Sequence, residues 1–342
     1  MKAKIMLALA MGLVMLAALL VSTGHGPSRA AAAVVTGTRS ARTTTVEEMN
    51  ARSNDSGRIV ERVDAPRYFA AMSDHSLALD SSGQLHIAYG GDNLYYAWYD
   101  GSAWHSEVVD EDWSAAVGTY AAIAIDSAGR PHISYYDMTN MDLRYARWTG
   151  SAWDVQTVDG DRRVGQYTSL ALDENDYPHI SYRNATSNTL EYARWTGSAW
   201  AIETVDSGFP FDTNMARHTS LALEATAPYT PHISYCDIGS LKHAWRDSTT
   251  WMSETVESGS VCYYTSLALD GDGHPRISYL RTDIGIRYAS HNGTTWTVQS
   301  VDNASFNGGH TSLALEPTAP YTPHISYYND TSDTLKYAWY NG

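Results

Sequence analysis

Five histidines stand at one recurring place in this chain: His86, His132, His179, His232 and His324 each open the motif "HISY" or its variant "HIAY", and Arg276 takes the place in a further copy. Imidazole is a common metal ligand, so the set invites a metal reading. Spacing argues against it. Each histidine follows, across a short turn, a carboxylate of its own (Asp80, Asp126, Asp173, Glu224 or Glu316), and the copies belong to separate repeats. The expected chemistry is a His–carboxylate hydrogen bond that pins the turn, with Arg276 pairing to Asp270 in the same way. "DGDG" at 270–273 resembles the start of a calcium loop but lacks the downstream bidentate Glu, so it reads as a turn. There is no Gly-rich phosphate loop, no Gly-x-Ser-x-Gly elbow and no His-Glu-x-x-His. No metal and no cofactor is expected.

The elements that carry these residues come from an internal repeat. Segments beginning at Ser76, Ala122, Ser169, Ser220, Ser266 and Ser312 recur every 46 to 51 residues, as in "SLALDENDYPHISYRN". Each holds short runs rich in Ile, Val, Tyr, Trp and Thr, separated by turn residues, as strands are. In the second copy these are "AAIAID", "HISYY", "LRYARW" and "WDVQTVD". Four antiparallel strands in about 45 residues predict a propeller blade, and the fold class is all-β, a six-bladed β-propeller. The segment "RIVERVD" (58–64) matches "WAIETVD" and "WTVQSVD" except that Arg58 replaces Trp, whereas the last repeat stops at "YNG" after three strands. We therefore expect strand 58–64 to complete the last blade and close the ring. That closure puts "SLALD" innermost, "HISYY" second and "LRYARW" third.

The pattern "SLALD…PHISYYD…L.YA.W.G..W…TVD" resembles the repeat of exported bacterial β-propellers, with a looser likeness to NHL and sialidase-type propellers. The sialidase Asp-box is absent in its Ser-x-Asp-x-Gly-x-x-Trp form. The resemblance covers residues 58–342 and implies the fold; it implies little about chemistry, because functions are grafted onto such rings.

The remainder of the chain is read from composition. Basic Lys2 and Lys4 precede the apolar run 5–21 and an Ala-rich stretch, so residues 1–30 read as a signal peptide or N-terminal anchor and 31–57 as a disordered linker. A secreted or cell-surface location follows, with membrane attachment only if that segment stays uncleaved. The formal charge of −15 opposes nucleic-acid binding, which depends on Lys and Arg. A monomer is expected, with a glycan or a surface protein as partner. The two cysteines, Cys236 and Cys262, are too few for a disulfide scaffold but can make one bridge.

Strand order gives the ring two faces, and one carries both the crossovers between blades and the loops between second and third strands. At its channel mouth the blades present Asp74, Tyr120, Tyr167, His218, Tyr264 and His310; at the end of the second strand stand Tyr136, Asp137, Arg183, Asp237, Arg281 and Tyr328. These positions differ between blades while "LAL" and "ISY" hardly do, as one asymmetric ligand site requires. Tyr faces with Asp and Asn acceptors suit neutral sugars, so a lectin-like carbohydrate-binding module is the first expectation. The alternatives are a polysaccharide lyase or glycosidase acting on acidic glycans, with Tyr or His as base and Arg183 or Arg281 as the neutralising cation, or a non-catalytic interaction scaffold. The repeated Trp104, Trp153, Trp200, Trp251 and Trp296 either line sugar pockets between blades or cover the edge of their own sheet.

Overall fold

The computed structural model describes residues 73, 75–111, 117–161, 163–207, 218–237, 239–259, 262–303 and 310–340. They form six antiparallel sheets in a ring, five of four strands and a sixth of three. Blade two is representative: an inner strand Val117–Ile125, then Pro131–Asp137, Asp142–Trp148 and the outer Trp153–Asp159. The strand order is sequential in every sheet, inner to outer. The N-terminal segments and the expected closing strand 58–64 lie outside the described residues.

Among the described residues five of the six hydrophobic clusters lie between two blades, and the sixth, around Ile87, Tyr89 and Ala97, lies within blade one. Leu94 and Tyr96 of blade one pack with Ile123, Ile133 and Tyr135 of blade two, and Leu143, Tyr145 and Val158 of blade two pack with Leu170, Ile180 and Tyr182 of blade three. A sheet with a small residue on one face and a large one on the other stacks only against a neighbour, so the ring is the core.

Three sets of polar bonds join the blades. Near the axis, the Ser hydroxyl of "SLAL" accepts the N–H of the next blade's inner strand: Ser169 from Leu221 at 3.0 Å, Ser220 from Leu267 at 2.9 Å and Ser266 from Leu313 at 3.1 Å. At mid-radius, the Tyr of "ISY" donates to the last carboxylate of the preceding outer strand, Tyr135 to Asp110, Tyr182 to Asp159, Tyr235 to Asp206, Tyr279 to Glu257 and Tyr327 to Asp302. Farther out, the indole N–H of four outer-strand tryptophans crosses to the preceding outer strand: Trp153 to Glu107, Trp200 to Gln156, Trp251 to Glu203 and Trp296 to Glu254. These four tryptophans thus brace the neighbouring blade, whereas Trp104 packs on the Ile87, Tyr89 and Ala97 cluster of its own sheet.

The repeated histidines sit beside the expected carboxylates, with Nε2 at 3.7, 3.4, 3.7, 3.5 and 3.6 Å for His86, His132, His179, His232 and His324. Their closer bond runs the other way. Nδ1 meets the third-strand tyrosine hydroxyl, Tyr96 for His86 at 2.6 Å, Tyr145 for His132 and Tyr192 for His179, while His243 replaces the tyrosine at 3.0 Å from His232. The carboxylate is long from the imidazole because its other oxygen holds the turn: Asp80 Oδ1 accepts the backbone N–H of Ser82 and of Gln84. Arg276 binds Asp270 at 2.6 and 3.0 Å, which leaves the Asp270, Asp272 and His274 group already supplied with a cation.

Cys236, at the end of a second strand in blade four, is bridged to Cys262, at the start of the inner strand of blade five, with Cα atoms 5.5 Å apart and a sequence separation of 26. The bridge spans the crossover that leads into the channel mouth. A loop of this length confines the unfolded chain by roughly 3 kcal/mol in the chain-entropy account. Replacing both cysteines by Ser is expected to lower the denaturant midpoint accordingly; an unchanged midpoint would show that the sheets alone hold this crossover.

Candidate functional site

The channel mouth is built from a backbone irregularity repeated around the ring. In blades two, three and five the inner strand slips register against the second strand, between Thr119 and Ala122, between Gln166 and Ser169, and between Tyr263 and Ser266. Tyr120, Tyr167 and Tyr264 occupy these bulges with φ of 57°, 57° and 51°, and His218 holds the equivalent place in blade four with φ of 59°. A left-handed bulge normally selects Gly, and a bulky side chain there costs on the order of 1–3 kcal/mol. Threonine hydroxyls of the following blade fix the strained units: Thr168 donates to the Tyr120 carbonyl at 2.8 Å and Thr219 to the Tyr167 carbonyl at 3.0 Å.

The consequence is an arc of rings. Successive centroids lie 4.3 Å apart for Tyr120 and Tyr167, 4.8 Å for Tyr167 and His218, 4.2 Å for His218 and Tyr264, and 4.1 Å for Tyr264 and His310. All five are partly exposed. On the blade-one side, His75 Nε2 meets the Thr219 carbonyl of blade four at 3.1 Å, so an imidazole spans the mouth. Asp74 lies outside the described residues. Chemically the arc gathers three phenols and two imidazoles, each combining an apolar ring face with a polar edge, along one rim.

The second row of expected site residues is placed differently. Asp137 is fully buried, and its carboxylate accepts the backbone N–H groups of Thr139 and Asn140 and the Asn140 side chain, so it shapes its own loop. Tyr136 is buried 6.3 Å from Tyr120, and burial pushes its phenol up. Arg183 donates to Gln166 and Asn188, both at 3.1 Å. Arg281 binds Glu257 at 2.9 Å and Asp283 at 2.8 Å, and Asp237 lies 3.5 Å from Lys242. Tyr328 donates to Asp333. The structure therefore brings together five residues of the first row, and it ties those of the second into hydrogen bonds and ion pairs with neighbouring side chains.

Sequence reasoning did not reach the bulges themselves. A signal was present: Gly118 and Gly165 stand two residues before Tyr120 and Tyr167. A Cβ at either would come within 3.0 Å of Leu94 Cα or 2.6 Å of Leu143 Cα, because the crossover passes directly over the preceding third strand before turning into the bulge.

No protein-family model and no curated protein sequence matches the chain. Among solved structures, the fold is similar to a polysaccharide lyase of a family described as PL25 ulvan lyase (14% identity, 80% of this chain and 82% of that one, TM-score 0.57). It is also similar to AofleA from Arthrobotrys oligospora (14%, 78% and 81%, TM-score 0.53) and to the SapL1 lectin solved with α-methyl fucoside (16%, 82% and 94%, TM-score 0.51). At these identities the likeness shows the fold, a six-bladed β-propeller of an architecture that other chains use for carbohydrate ligands.

Proposed function

We propose that this chain is an exported carbohydrate-binding propeller whose ligand seats on the arc Tyr120, Tyr167, His218, Tyr264 and His310. The observation that carries the proposal is the left-handed backbone at four of these five residues. A fold does not retain bulky side chains in strained bulges where Gly would relax the chain unless their rings are wanted at that place. Phenol and imidazole combine an apolar face for sugar C–H groups with a polar edge for hydroxyls. Binding is favoured over lyase chemistry because Arg183 and Arg281, the cations needed beside a uronate, are already engaged by protein side chains, Arg183 by Gln166 and Asn188 and Arg281 by Asp283 and by Glu257 of the preceding blade. The similar folds of a lectin solved with α-methyl fucoside and of a polysaccharide lyase support a glycan ligand. The apolar N-terminal run supports export.

The test exploits the backbone. Tyr167→Gly and Tyr264→Gly remove a ring while suiting the left-handed φ, so both variants are expected to fold with melting temperatures near that of the parent. Glycan-array screening followed by calorimetry is expected to show each losing at least tenfold in affinity, about 1.4 kcal/mol. A parent that binds no glycan, or glycine variants that bind as well as the parent, would refute the assignment; absorbance from an unsaturated uronate on incubation with acidic polysaccharide would replace it with the lyase.

A further inference from the structure

On the opposite face, between blades two and three, lies a cavity of about 290 Å³ whose walls include Arg147, Trp148, Gln156, Tyr177, Trp195 and Trp200. It is separate from the channel mouth, being floored by the turns between inner and second strands and between third and outer strands.

Its polar wall is built. Asp154 Oδ2 accepts from Arg147 Nε at 3.1 Å and from Gln156 Nε2 at 3.0 Å, and Gln156 Oε1 accepts the Trp200 indole N–H at 3.3 Å. Arg130 is held likewise, Nε on Asp126 at 2.6 Å. Both guanidinium groups thus use Nε for the protein, and among the described residues no protein partner takes their terminal amino groups. The indoles supply the apolar wall, Trp195 and Trp200 meeting edge to face at 5.6 Å and Trp200 meeting Tyr145 at 5.3 Å.

Comparison between blades shows how this interface differs from others, although blade three also carries an arginine, Arg194, in register with its repeated histidine. Arg147 is the residue paired in register with the repeated histidine of blade two. In blades one and four that place is taken by Trp98 and Trp245. Those indoles lie flat on Tyr96 at 5.2 Å and on His243 at 5.3 Å, covering the surface that Arg147 leaves open above Tyr145. Between blades three and four, Arg246 crosses the gap to Glu203 at 2.8 Å. Between blades five and six, Ser290 stands in the place of Arg147, and the gap widens to about 650 Å³ without that donor.

We infer that the pocket between blades two and three binds a single pyranose ring of a neutral sugar, stacked on indole and hydrogen-bonded through its hydroxyls to Arg147. The size fits one ring rather than a chain, lying at the lower end of the roughly 300–1,000 Å³ common for ligand pockets. The ligand is neutral because Asp126, Asp154 and Asp176 offset the two arginines, leaving donors without a net positive field to attract a carboxylate. Amphipathic stacking with a few placed donors is the chemistry that recognises a hydroxylated ring with one apolar face.

The test copies the molecule's own closed interfaces. Arg147→Trp installs the residue found at Trp98 and Trp245, so it is expected to fold and to fill the pocket; Trp195→Ala removes a wall without adding bulk. Methyl α-glucoside, methyl α-mannoside, methyl β-galactoside and methyl α-fucoside are titrated separately, with saturation-transfer NMR on the sugar protons and tryptophan emission as readouts. At least one is expected to bind the parent, to lose tenfold or more in affinity in both variants, and to bind Tyr167→Gly unchanged. That last arm separates this pocket from the channel mouth. Binding by none of the four sugars, or binding equally strong in Arg147→Trp, would overturn the inference.

Discussion

Acidification from about pH 7.5 to about pH 4 is expected to strip several kcal/mol from the folding free energy, before most carboxylates titrate. The cause is the buried imidazole set. Burial pushes His179 down to about 4 from its ordinary value near 6.5, and it lowers His86 and His132 in the same direction. His232 is held low by burial and by the neighbouring His243. Between pH 6.5 and 4 the unfolded chain therefore takes up protons that the folded ring refuses, so stability is complete above the unfolded value and falls as the pH drops through the folded one. For His179 alone this corresponds to roughly 3 kcal/mol. Asp80, Asp126 and Asp270 are also depressed, which steepens the loss at still lower pH rather than opposing it. Urea midpoints measured across this range should fall continuously below about pH 6.5. Equal midpoints at pH 7.5 and 4.5 would mean that the histidines are solvated and protonated in the folded ring.

The histidines also mark how far the sequence could be read. Their pairing with a carboxylate across the turn was legible, since both residues lie in one repeat a few positions apart. Their bond to Tyr96, Tyr145 or Tyr192 was not, although strand alternation in the third strand places each tyrosine on the same face. Blade number, strand order and the face of interest followed from the 46- to 51-residue period and its turn residues. The channel-mouth row was visible as blade-to-blade variation, but Asp137 carried the same signal for another reason, capping its own loop. Variation at a loop does not distinguish a side chain that faces a ligand from one that satisfies backbone N–H groups. The pocket at Arg147 was hidden for a deeper reason. It exists only because a different blade supplies Trp195 and Trp200, and a repeat read one copy at a time contains no information about gaps between copies.

The same limit hid the mid-radius bonds, and they carry the other large expected effect. Asp206 ends the outer strand of blade three, where its Oδ2 accepts both the Tyr235 hydroxyl at 2.5 Å and Lys242 Nζ at 3.0 Å from blade four. The Tyr235 side chain is fully buried, and burial beside this carboxylate raises its phenol far above the usual range. Arg144 on Asp110, Arg287 on Glu257 and Lys336 on Asp302 repeat the arrangement, so a tyrosine and a cation from one blade clasp an acid from the one before. Blade three departs from it: Glu191 stands in the cation's place opposite Tyr182, and burial raises its carboxyl. Asp206→Ala removes the acceptor and leaves a buried hydroxyl and a half-covered ammonium without it, which is expected to cost about 3 kcal/mol, the lower end of the range for breaking a buried charged pair because Lys242 retains some solvent and Asp237. Tyr235→Phe removes only the donor and should cost about 1–1.5 kcal/mol, since Asp206 keeps its lysine. In the double variant the phenol is no longer there to be orphaned, so the two losses should fall short of their sum by about 1 kcal/mol or more. Additive losses would mean that Tyr235 and Asp206 stabilise their own blades independently, and that this bond is no part of what joins blade three to blade four.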